Sequence, residues 1–323
     1  MRLDNRSASE MEGSLEVADG HTMYWRACGN PDAPVVVILH GGPGSGHNPK
    51  QVQFFDLEQW RIVMFDQRGC GRSTPFASTA NNTTADLVAD MERLRNALGI
   101  ERWMVFGGSW GVRLALEYGV TWPEHCTGFM LRGVFLGRPT DIEWFLWGAA
   151  QIFPDTHSAL LDEIEDATGQ RAKTSEELLT LCADIFKPEH PKRQRLAEAW
   201  ERYESQMCAV QPLPEANDEA LSLSLATLEH HYMSRVLPLG PEILERLPRI
   251  THLPCEIVHG RYDIVCPLEQ AWRLAAAWPN ARLNVATTSG HWPFEPEMAA
   301  LLQAASARLL IQHLGRHDDT AYR

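Results

Sequence analysis

The chain is long, ordinary in composition and acidic, and these properties already exclude several classes of protein. Of its 323 residues, 44% are hydrophobic and 22% are charged, so a sizeable core can form and disorder is not expected. The formal net charge is −13, and an acidic surface repels phosphate backbones and anionic lipids, which argues against nucleic acid and membranes as partners. The length suits one large α/β domain with an insertion, or two smaller domains.

The cysteines and the N-terminal segment indicate the cellular compartment. The seven cysteines are scattered, odd in number and without a C-x-x-C pair, which is typical of a reducing compartment and predicts neither a disulfide framework nor a zinc site. Residues 1–17 lack the apolar stretch of a signal peptide. The longest apolar run, Val35–Leu39, is too short to cross a bilayer. We therefore expect a cytoplasmic protein, whose oligomeric state the sequence leaves open.

Short, β-branched apolar runs alternate with helical patterns along the chain. Because the runs are continuous, they predict buried strands of a parallel sheet covered on both faces. A helix is predicted from Leu87 to Leu98, where apolar residues recur at helical spacing and Gly99 follows. The strand–helix–strand order predicts an α/β fold with a mostly parallel, doubly wound sheet. The predicted strands are Val35–Leu39, Arg61–Phe65, Trp103–Phe106, Phe129–Leu131, Glu256–His259 and Arg282–Ala286.

The strand pattern stops between about residues 137 and 248. This segment is rich in Glu, Ala, Leu, Trp and Gln and has helical spacing throughout. Because it separates strands of what should be one sheet, we expect a helical cap over the carboxyl edge, where open α/β sheets bind ligands. The predicted division is a core of residues 1–136 and 249–323, with a cap of residues 137–248.

The strongest local motif is the G-x-S-x-G sequence of residues 107–111. It follows an apolar strand and precedes a predicted helix, Val112–Tyr118. In the nucleophile elbow, small residues are needed because a sharp turn lifts the serine between a strand and a helix. The N-terminus of the helix also favours developing negative charge. An ordinary glycine-rich turn is the alternative, but the strand–turn–helix context favours Ser109 as a nucleophile.

A serine hydroxyl is a weak nucleophile and needs a base that an acid orients. Elbow enzymes carry these groups in the chain order serine, acid, histidine. Downstream, Asp263 lies in the loop after one predicted strand, and His291 lies in the loop after the next. Both loops can reach Ser109, so we predict Ser109, Asp263 and His291 as the catalytic triad. His259 is the main rival as the base, but its position at the end of an apolar strand favours a packed residue.

The first predicted strand ends in His40-Gly-Gly-Pro-Gly44. Glycines here let backbone N–H groups approach a substrate carbonyl oxygen, as in the oxyanion loop of lipases. We therefore predict the N–H groups of Gly42 and Trp110 as the oxyanion hole. A phosphate-binding loop is the alternative, but residues 41–47 contain neither G-x-G-x-x-G nor a Gly-Lys-Ser/Thr ending.

A charged, glycine-dense turn, Asp66–Ser73, follows the second predicted strand. Its residues could be catalytic, but loop residues near a site mostly position others, so we expect Asp66 and Arg68 to brace the loops. No metal-binding pattern stands out. The neighbours His230 and His231 would point to different faces of a helix, and H-E-x-x-H is absent. We therefore predict no metal site.

Five strings together resemble the proline iminopeptidase, or prolyl aminopeptidase, family of α/β-hydrolases. They are HGGPG at 40–44, DQRGCGRS at 66–73, GGSWG at 107–111, LRGVF at 131–135 and HGRYD at 259–263. The resemblance runs from about Leu15 to the last helix. It implies an α/β-hydrolase core with a helical cap, cleavage of an N-terminal proline from peptides or small amides, and no cofactor. It also supports Ser109, Asp263 and His291 as the triad.

The resemblance further selects two glutamates of the cap, Glu204 and Glu229, as ligands of the substrate's amino group. The family's W-x-x-W-E string is matched by Trp200–Glu204, with tyrosine for the second tryptophan, and its E-N-H-Y-F string is matched by Glu229–Met233. A buried carboxylate pair suits a secondary ammonium group, whereas glutamates on a helix are usually solvated. Departures from the family pattern in or near the expected pocket are Arg113, Leu146, Trp147 and Trp292.

Three functions are compatible with these features. The leading one is a serine aminopeptidase that forms an acyl-enzyme on Ser109 with small peptides or amides that carry a free amine. The second is an amidase or esterase for amino-acid amides, esters or a specialised metabolite, which a substrate panel would separate from the first. The third is a non-catalytic binding protein on the same fold. The complete set of Ser109, Asp263 and His291 argues against it, and labelling by a fluorophosphonate would decide.

Overall fold

An eight-stranded sheet organises the part of the chain that this computed structural model describes, namely residues 10–214, 218–236 and 243–320. The strand order is β1-β2-β4-β3-β5-β6-β7-β8. The strands are β1 (Met11–Glu16), β2 (Thr22–Gly29), β3 (Val35–Leu39), β4 (Arg61–Phe65), β5 (Trp103–Gly108), β6 (Cys126–Arg132), β7 (Cys255–Gly260) and β8 (Ala281–Ala286).

The sheet is mostly parallel, as predicted. The six strands from β4 to β8 in the sheet pair in parallel, and only β1 with β2 and β2 with β4 pair antiparallel. All six predicted strands are present, and β3 and β4 have the predicted bounds. The edge strand β1 and its neighbour β2 were not predicted because β1 is half-exposed and both contain charged residues, so neither forms a continuous apolar run.

Helices cover both faces of the sheet, and alternate residues of each strand enter opposite hydrophobic layers. Val37 of β3 belongs to one core cluster with Leu87 and Val112, whereas Ile38 belongs to another with Leu302. No helix in the described residues is both long and apolar enough to cross a membrane. The helices are α1 (Thr84–Ala97), α2 (Trp110–Thr121), α3 (Pro139–Leu146), α4 (Pro154–Thr168), α5 (Ser175–Ile185), α6 (Arg193–Cys208), α7 (Glu219–His231), α8 (Ile243–Arg246), α9 (Leu268–Ala277) and α10 (Pro296–Thr320).

The predicted helix between β4 and β5 exists as α1 and begins three residues before the apolar pattern. A capping box explains this start, because the Thr83 hydroxyl accepts the Asp86 N–H and the Asp86 carboxylate accepts the Thr83 N–H. Gly99, with φ of 63°, follows the helix end, where a left-handed residue is favourable. Helix α2 extends the predicted Val112–Tyr118 at both ends.

Helices α3 to α8 form an insertion between β6 and β7, and we call them the helical insertion. They fall inside the predicted cap span of 137–248, of which residues 215–217 and 237–242 lie outside the described residues. Most of the insertion's apolar residues, such as Leu196 and Trp200, form their own core cluster, which also includes Val265 and Cys266 from the loop after β7. The insertion therefore packs on the loop that carries Asp263. The domain limits themselves stay a prediction.

Candidate active site

Ser109 occupies the turn between β5 and α2 in a strained conformation. Its φ of 58° and ψ of −123° lie outside the usual regions for a residue with a side chain, at a cost on the order of 1–3 kcal/mol. A Cβ atom on Gly107 would lie 2.3 Å from the Gly111 carbonyl oxygen, and one on Gly111 would lie 2.3 Å from the Leu39 carbonyl oxygen. The turn can therefore be this tight only with glycine at both positions.

Asp263 and His291 form a buried hydrogen-bonded pair. The Asp263 Oδ2 atom lies 2.7 Å from His291 Nδ1, and the other carboxylate oxygen accepts the Cys266 N–H at 2.7 Å. Burial by itself would raise the pKa of Asp263. The charge of His291 and its hydrogen bond to the carboxylate outweigh burial and lower the pKa below its usual value. The carboxylate therefore stays ionised and fixes the tautomer and orientation of the His291 ring.

The end of β6 brings the loops of Ser109 and His291 together. The Ser109 N–H donates to the Arg132 carbonyl at 2.9 Å, and the Arg132 guanidinium donates to the His291 carbonyl at 2.8 Å. A Cβ atom on the next residue, Gly133, would lie 2.8 Å from His291 Cε1. Both loops are thus fastened to one strand end, which places the three predicted triad residues in a single site. Their catalytic roles remain a prediction.

His259, the rival base, is a packed structural residue. It is 0% exposed, and its two ring nitrogens are both occupied. Its Nδ1 atom accepts the Val134 N–H at 3.0 Å, and its Nε2 atom donates to the Cys266 carbonyl at 2.8 Å. Burial lowers the pKa of this histidine. It supports the loop after β7 and has no nitrogen left for Ser109.

The loop after β3 lies directly against Ser109, on the side predicted for the oxyanion hole. A Cβ atom on Gly41 would lie 3.2 Å from Ser109 Cβ, so this position must stay small. Gly42 has φ of 94°, which favours glycine, and a Cβ there would lie 2.7 Å from the Gly44 nitrogen. Trp110 is the first residue of α2, whose N–H has no acceptor within the helix. The two predicted donors therefore flank the nucleophile.

Glu204 of α6 and Glu229 of α7 form a hydrogen-bonded carboxyl pair. Glu229 is 1% exposed and accepts the indole N–H of Trp200 at 2.6 Å, whereas Glu204 keeps partial exposure. Burial, with the charge of Glu201, raises the pKa of Glu204 to about 7. Burial and the charge of Glu204 raise the pKa of Glu229 well above its usual range. The two groups therefore share a proton at neutral pH.

Both helices that carry these glutamates rest on loops of the catalytic core. One turn before Glu229, a Cβ atom on Gly42 would lie 2.9 Å from Leu225 Cδ1, so α7 covers the loop after β3. One turn after Glu204, the Cys208 carbonyl accepts the Trp292 N–H at 2.7 Å, so α6 reaches the loop that carries His291. Residues four apart share a helix face, so the carboxyl pair lies on the side of the insertion that faces the core.

The departures from the family pattern mostly have structural partners. Arg113 is buried, and its guanidinium donates to Glu117 Oε1 at 2.8 Å, so its charge is neutralised within α2. Leu146 is 0% exposed inside the insertion core. The Trp292 ring stacks edge-on against Phe294 at 5.3 Å. None of these changes removes a predicted triad residue or either glutamate.

Asp66 and Arg68 brace the surrounding loops, as predicted. The Asp66 carboxylate accepts the His47 ring and backbone N–H groups, both at 2.7 Å, and the Arg72 N–H at 2.8 Å. The Arg68 guanidinium makes two hydrogen bonds to Asp90 of α1, at 2.6 and 2.9 Å. Within residues 10–214, 218–236 and 243–320, no group of three or more His, Cys, Asp or Glu is arranged to hold a metal ion.

Several residues of the site, among them Arg132, Cys266 and Trp200, were not singled out from the sequence. Cys266 donates its N–H to Asp263, and its thiol contacts the Ser109 hydroxyl. The spacing of an aspartate and an N–H three residues later is the signal that could have found it, because such turns recur in proteins. Trp200, which binds Glu229, lay in the string quoted for the family but received no role.

Comparisons with known proteins identify the family of this chain. A family model described as "alpha/beta hydrolase fold" matches residues 34–297. The chain is 42% identical over 309 residues to a proline iminopeptidase of Xylella fastidiosa, covering 91% of this chain and 95% of the relative. It is 41% identical over 304 residues to a proline iminopeptidase of Arabidopsis thaliana, covering 92% of this chain and 79% of the relative.

A solved structure shows the same fold. The proline iminopeptidase of Mycobacterium smegmatis superposes with a TM-score of 0.63 at 22% identity, covering 94% of this chain and 98% of that one. This likeness concerns the fold, whereas the sequence identities above concern the family. The predicted fold class and the predicted family are both confirmed. The chain belongs to the proline iminopeptidase family of α/β-hydrolases.

Proposed function

We propose that this protein is a serine aminopeptidase that releases an N-terminal residue, preferably proline, from small peptides and amides. The observation that carries the proposal is the adjoining pair Glu204 and Glu229, whose helices rest on the loops beside Ser109. A site built only for acyl transfer has no need of two adjoining buried carboxyl groups. Relatives at 41–42% identity bear the name proline iminopeptidase.

The chemistry follows from the triad. Ser109 attacks the scissile carbonyl carbon while its proton passes to His291, which Asp263 holds at 2.7 Å in the accepting tautomer. The N–H groups of Gly42 and Trp110 stabilise the oxyanion of the tetrahedral intermediate. His291 then protonates the leaving amine, which gives an acyl-enzyme on Ser109. Water, deprotonated by His291, attacks the acyl carbon and releases the amino acid.

Recognition of the amine follows from the carboxyl pair. The ammonium group of an N-terminal proline has two N–H bonds, which match one carboxylate oxygen from Glu204 and one from Glu229. A bound ammonium replaces the shared proton and relieves the repulsion between two carboxylates. An acetylated amine has no charge and no such donors, so it is rejected. On this proposal the cap, residues 137–248, recognises the amine, and the core, residues 1–136 and 249–323, performs the hydrolysis.

The test is a panel of aminoacyl naphthylamides, each with a free and an acetylated amine, assayed with wild-type protein and Ser109→Ala. We expect the free prolyl compound to be hydrolysed best, the acetylated compounds to resist, and Ser109→Ala to be inactive. Equal rates for free and acetylated substrates would refute aminopeptidase specificity. They would favour the amidase or esterase alternative, provided that activity still requires Ser109.

The cysteines support a cytoplasmic location, which we include in the proposal. All seven thiols are unpaired, and six of them are buried, as is typical of proteins from reducing compartments. Cell fractionation with activity assays tests this point. Recovery of the activity outside the cytoplasmic fraction would contradict it.

A further inference from the structure

The side chain of Gln67 joins the two loops that flank the nucleophile. Its Oε1 atom accepts the indole N–H of Trp110 at 3.0 Å, and its Nε2 atom donates to the His40 carbonyl at 3.0 Å. An indole only donates and a carbonyl only accepts, so the chemistry fixes which end of the amide faces which loop. Gln67 is 2% exposed, so both contacts are shielded from bulk water.

The backbone of Gln67 also determines the state of His40. The Gln67 N–H donates to His40 Nε2 at 3.0 Å, so that nitrogen carries no proton. The proton must therefore lie on Nδ1, which is 2.9 Å from the Gly41 carbonyl oxygen and donates to it. Burial lowers the pKa of His40 to about 4, so the ring is neutral at physiological pH and keeps this single tautomer.

These contacts orient the peptide bond between Gly41 and Gly42. The Gly41 carbonyl accepts from His40 Nδ1 and also from the Ser45 hydroxyl at 2.9 Å. This peptide is trans, and in a trans peptide the C=O and N–H bonds point in opposite directions. Holding the carbonyl on one side therefore fixes the Gly42 N–H on the other. A flip of this peptide would remove one oxyanion donor.

We propose that Gln67 is a positioning residue that holds both halves of the oxyanion hole in one geometry, Gly42 through His40 and Trp110 through its indole. The inference rests on the proposed function, since it assumes that these two N–H groups bind the oxyanion. Gln67 itself does not contact substrate. Displacing a catalytic group by about 1 Å can cost about 100-fold in rate, and loss of an oxyanion donor costs about 10²–10³-fold in kcat.

The test is Gln67→Met, which keeps side-chain length and the backbone N–H but removes both amide contacts. Steady-state kinetics with prolyl naphthylamide give kcat and KM, and inhibition by the boronic acid analogue of proline reports on the tetrahedral adduct. Inhibition by pyrrolidine, which has the amine but no carboxyl group, reports on the amine site alone. We expect kcat to fall between about 10-fold and 100-fold and boronate affinity to fall in parallel. KM and pyrrolidine affinity should change less than twofold.

Gln270→Met is the matched control. Gln270 is 1% exposed and accepts the Leu136 N–H at 2.9 Å, so this variant also loses a buried amide, but not beside Ser109. We expect it to keep wild-type kcat and boronate affinity even if its melting temperature falls. Trp110→Phe removes only the indole donor and should reproduce the part of the Gln67→Met loss in kcat that passes through Trp110. The double variant should be little worse than Gln67→Met alone, because that variant already lacks the contact with the indole.

The possible outcomes distinguish failure of the positioning role of Gln67 from failure of the proposed function. Wild-type kcat and boronate affinity in folded Gln67→Met, or an equal loss in pyrrolidine affinity, would overturn the positioning role. If Gln67→Met does not fold, as judged by circular dichroism, Trp110→Phe decides in the same way. If the wild-type protein neither hydrolyses the naphthylamide nor binds the boronate, the proposed function fails, and the inference fails with it.

Discussion

The carboxyl groups of Glu204 and Glu229 meet in a hydrogen bond although they belong to different helices of the insertion. Two buried carboxyl groups in contact are unfavourable when both are ionised, so the free protein retains a proton between them. That proton takes the position between the two carboxyl groups that the ammonium group of a substrate would occupy. The pair is therefore preorganised for an ammonium group at the cost of some stability in the empty site.

Replacing either glutamate by glutamine should selectively lower kcat/KM for substrates with a free amine. Loss of one charge-assisted contact should cost about 2–3 kcal/mol, or roughly 30–150-fold in kcat/KM, mostly through a higher KM. Kinetics of Glu204→Gln and Glu229→Gln with prolyl naphthylamide measure this. Glu198→Gln is the control, since Glu198 lies on the same helix but pairs with Gln194. Wild-type kcat/KM in both test variants would exclude the amine role.

The shared proton should make the fold more stable in mild acid than at alkaline pH. The pKa of Glu204 is raised in the folded protein, so its contribution to stability is complete below its ordinary value of 4.5 and is lost as pH rises through about 7. Glu204→Gln cannot ionise at this position, so its stability should decline less between acid and alkaline pH, although the buried Glu229 still titrates. Urea unfolding at about pH 5 and about pH 8 measures both proteins. A stability difference between them that does not vary with pH would contradict the raised pKa.

Ser109→Ala should leave the fold intact and lower kcat by about 10⁴-fold or more, with residual catalysis from the oxyanion donors. An organophosphonate should label wild-type protein on Ser109, which peptide mass mapping detects. The buried thiol of Cys266 contacts Ser109, so the mapping must resolve these two residues. Full activity of Ser109→Ala, or labelling on Cys266 alone, would refute the mechanism.

Asp263→Asn should lower kcat by about 10⁴-fold with little change in KM, because an amide donates to His291 Nδ1 and favours the wrong tautomer. The same kinetics distinguish the two histidines of the region. His291→Gln should be as inactive as Ser109→Ala. His259→Gln should mainly lower the stability of the fold, because both ring nitrogens of His259 have structural partners. Higher activity in His291→Gln than in His259→Gln would reverse our assignment of the base.

Sequence patterns predicted the elements whose structure is determined by residues close together in the chain. Strands β3 and β4 are continuous apolar runs, and Ser109 follows a strand in a motif whose glycines are required by contacts of 2.3 Å. The antiparallel strands β1 and β2 were missed because β1 is half-exposed and charged residues interrupt the apolar pattern of both. The contact of Glu204 with Glu229 depends on packing between helices, which no local spacing encodes, so only the family resemblance pointed to it.

The hydrogen bond from Trp292 to Cys208, and that from the Ser224 hydroxyl to the Gly44 carbonyl at 2.9 Å, fasten the insertion to both loops beside Ser109. Under the proposed function, these contacts hold Glu204 and Glu229, which bind the amine, at a constant distance from Ser109. A substrate whose first amine is bound can then present only its first carbonyl to Ser109. These two hydrogen bonds would thus limit each cleavage to the removal of one residue.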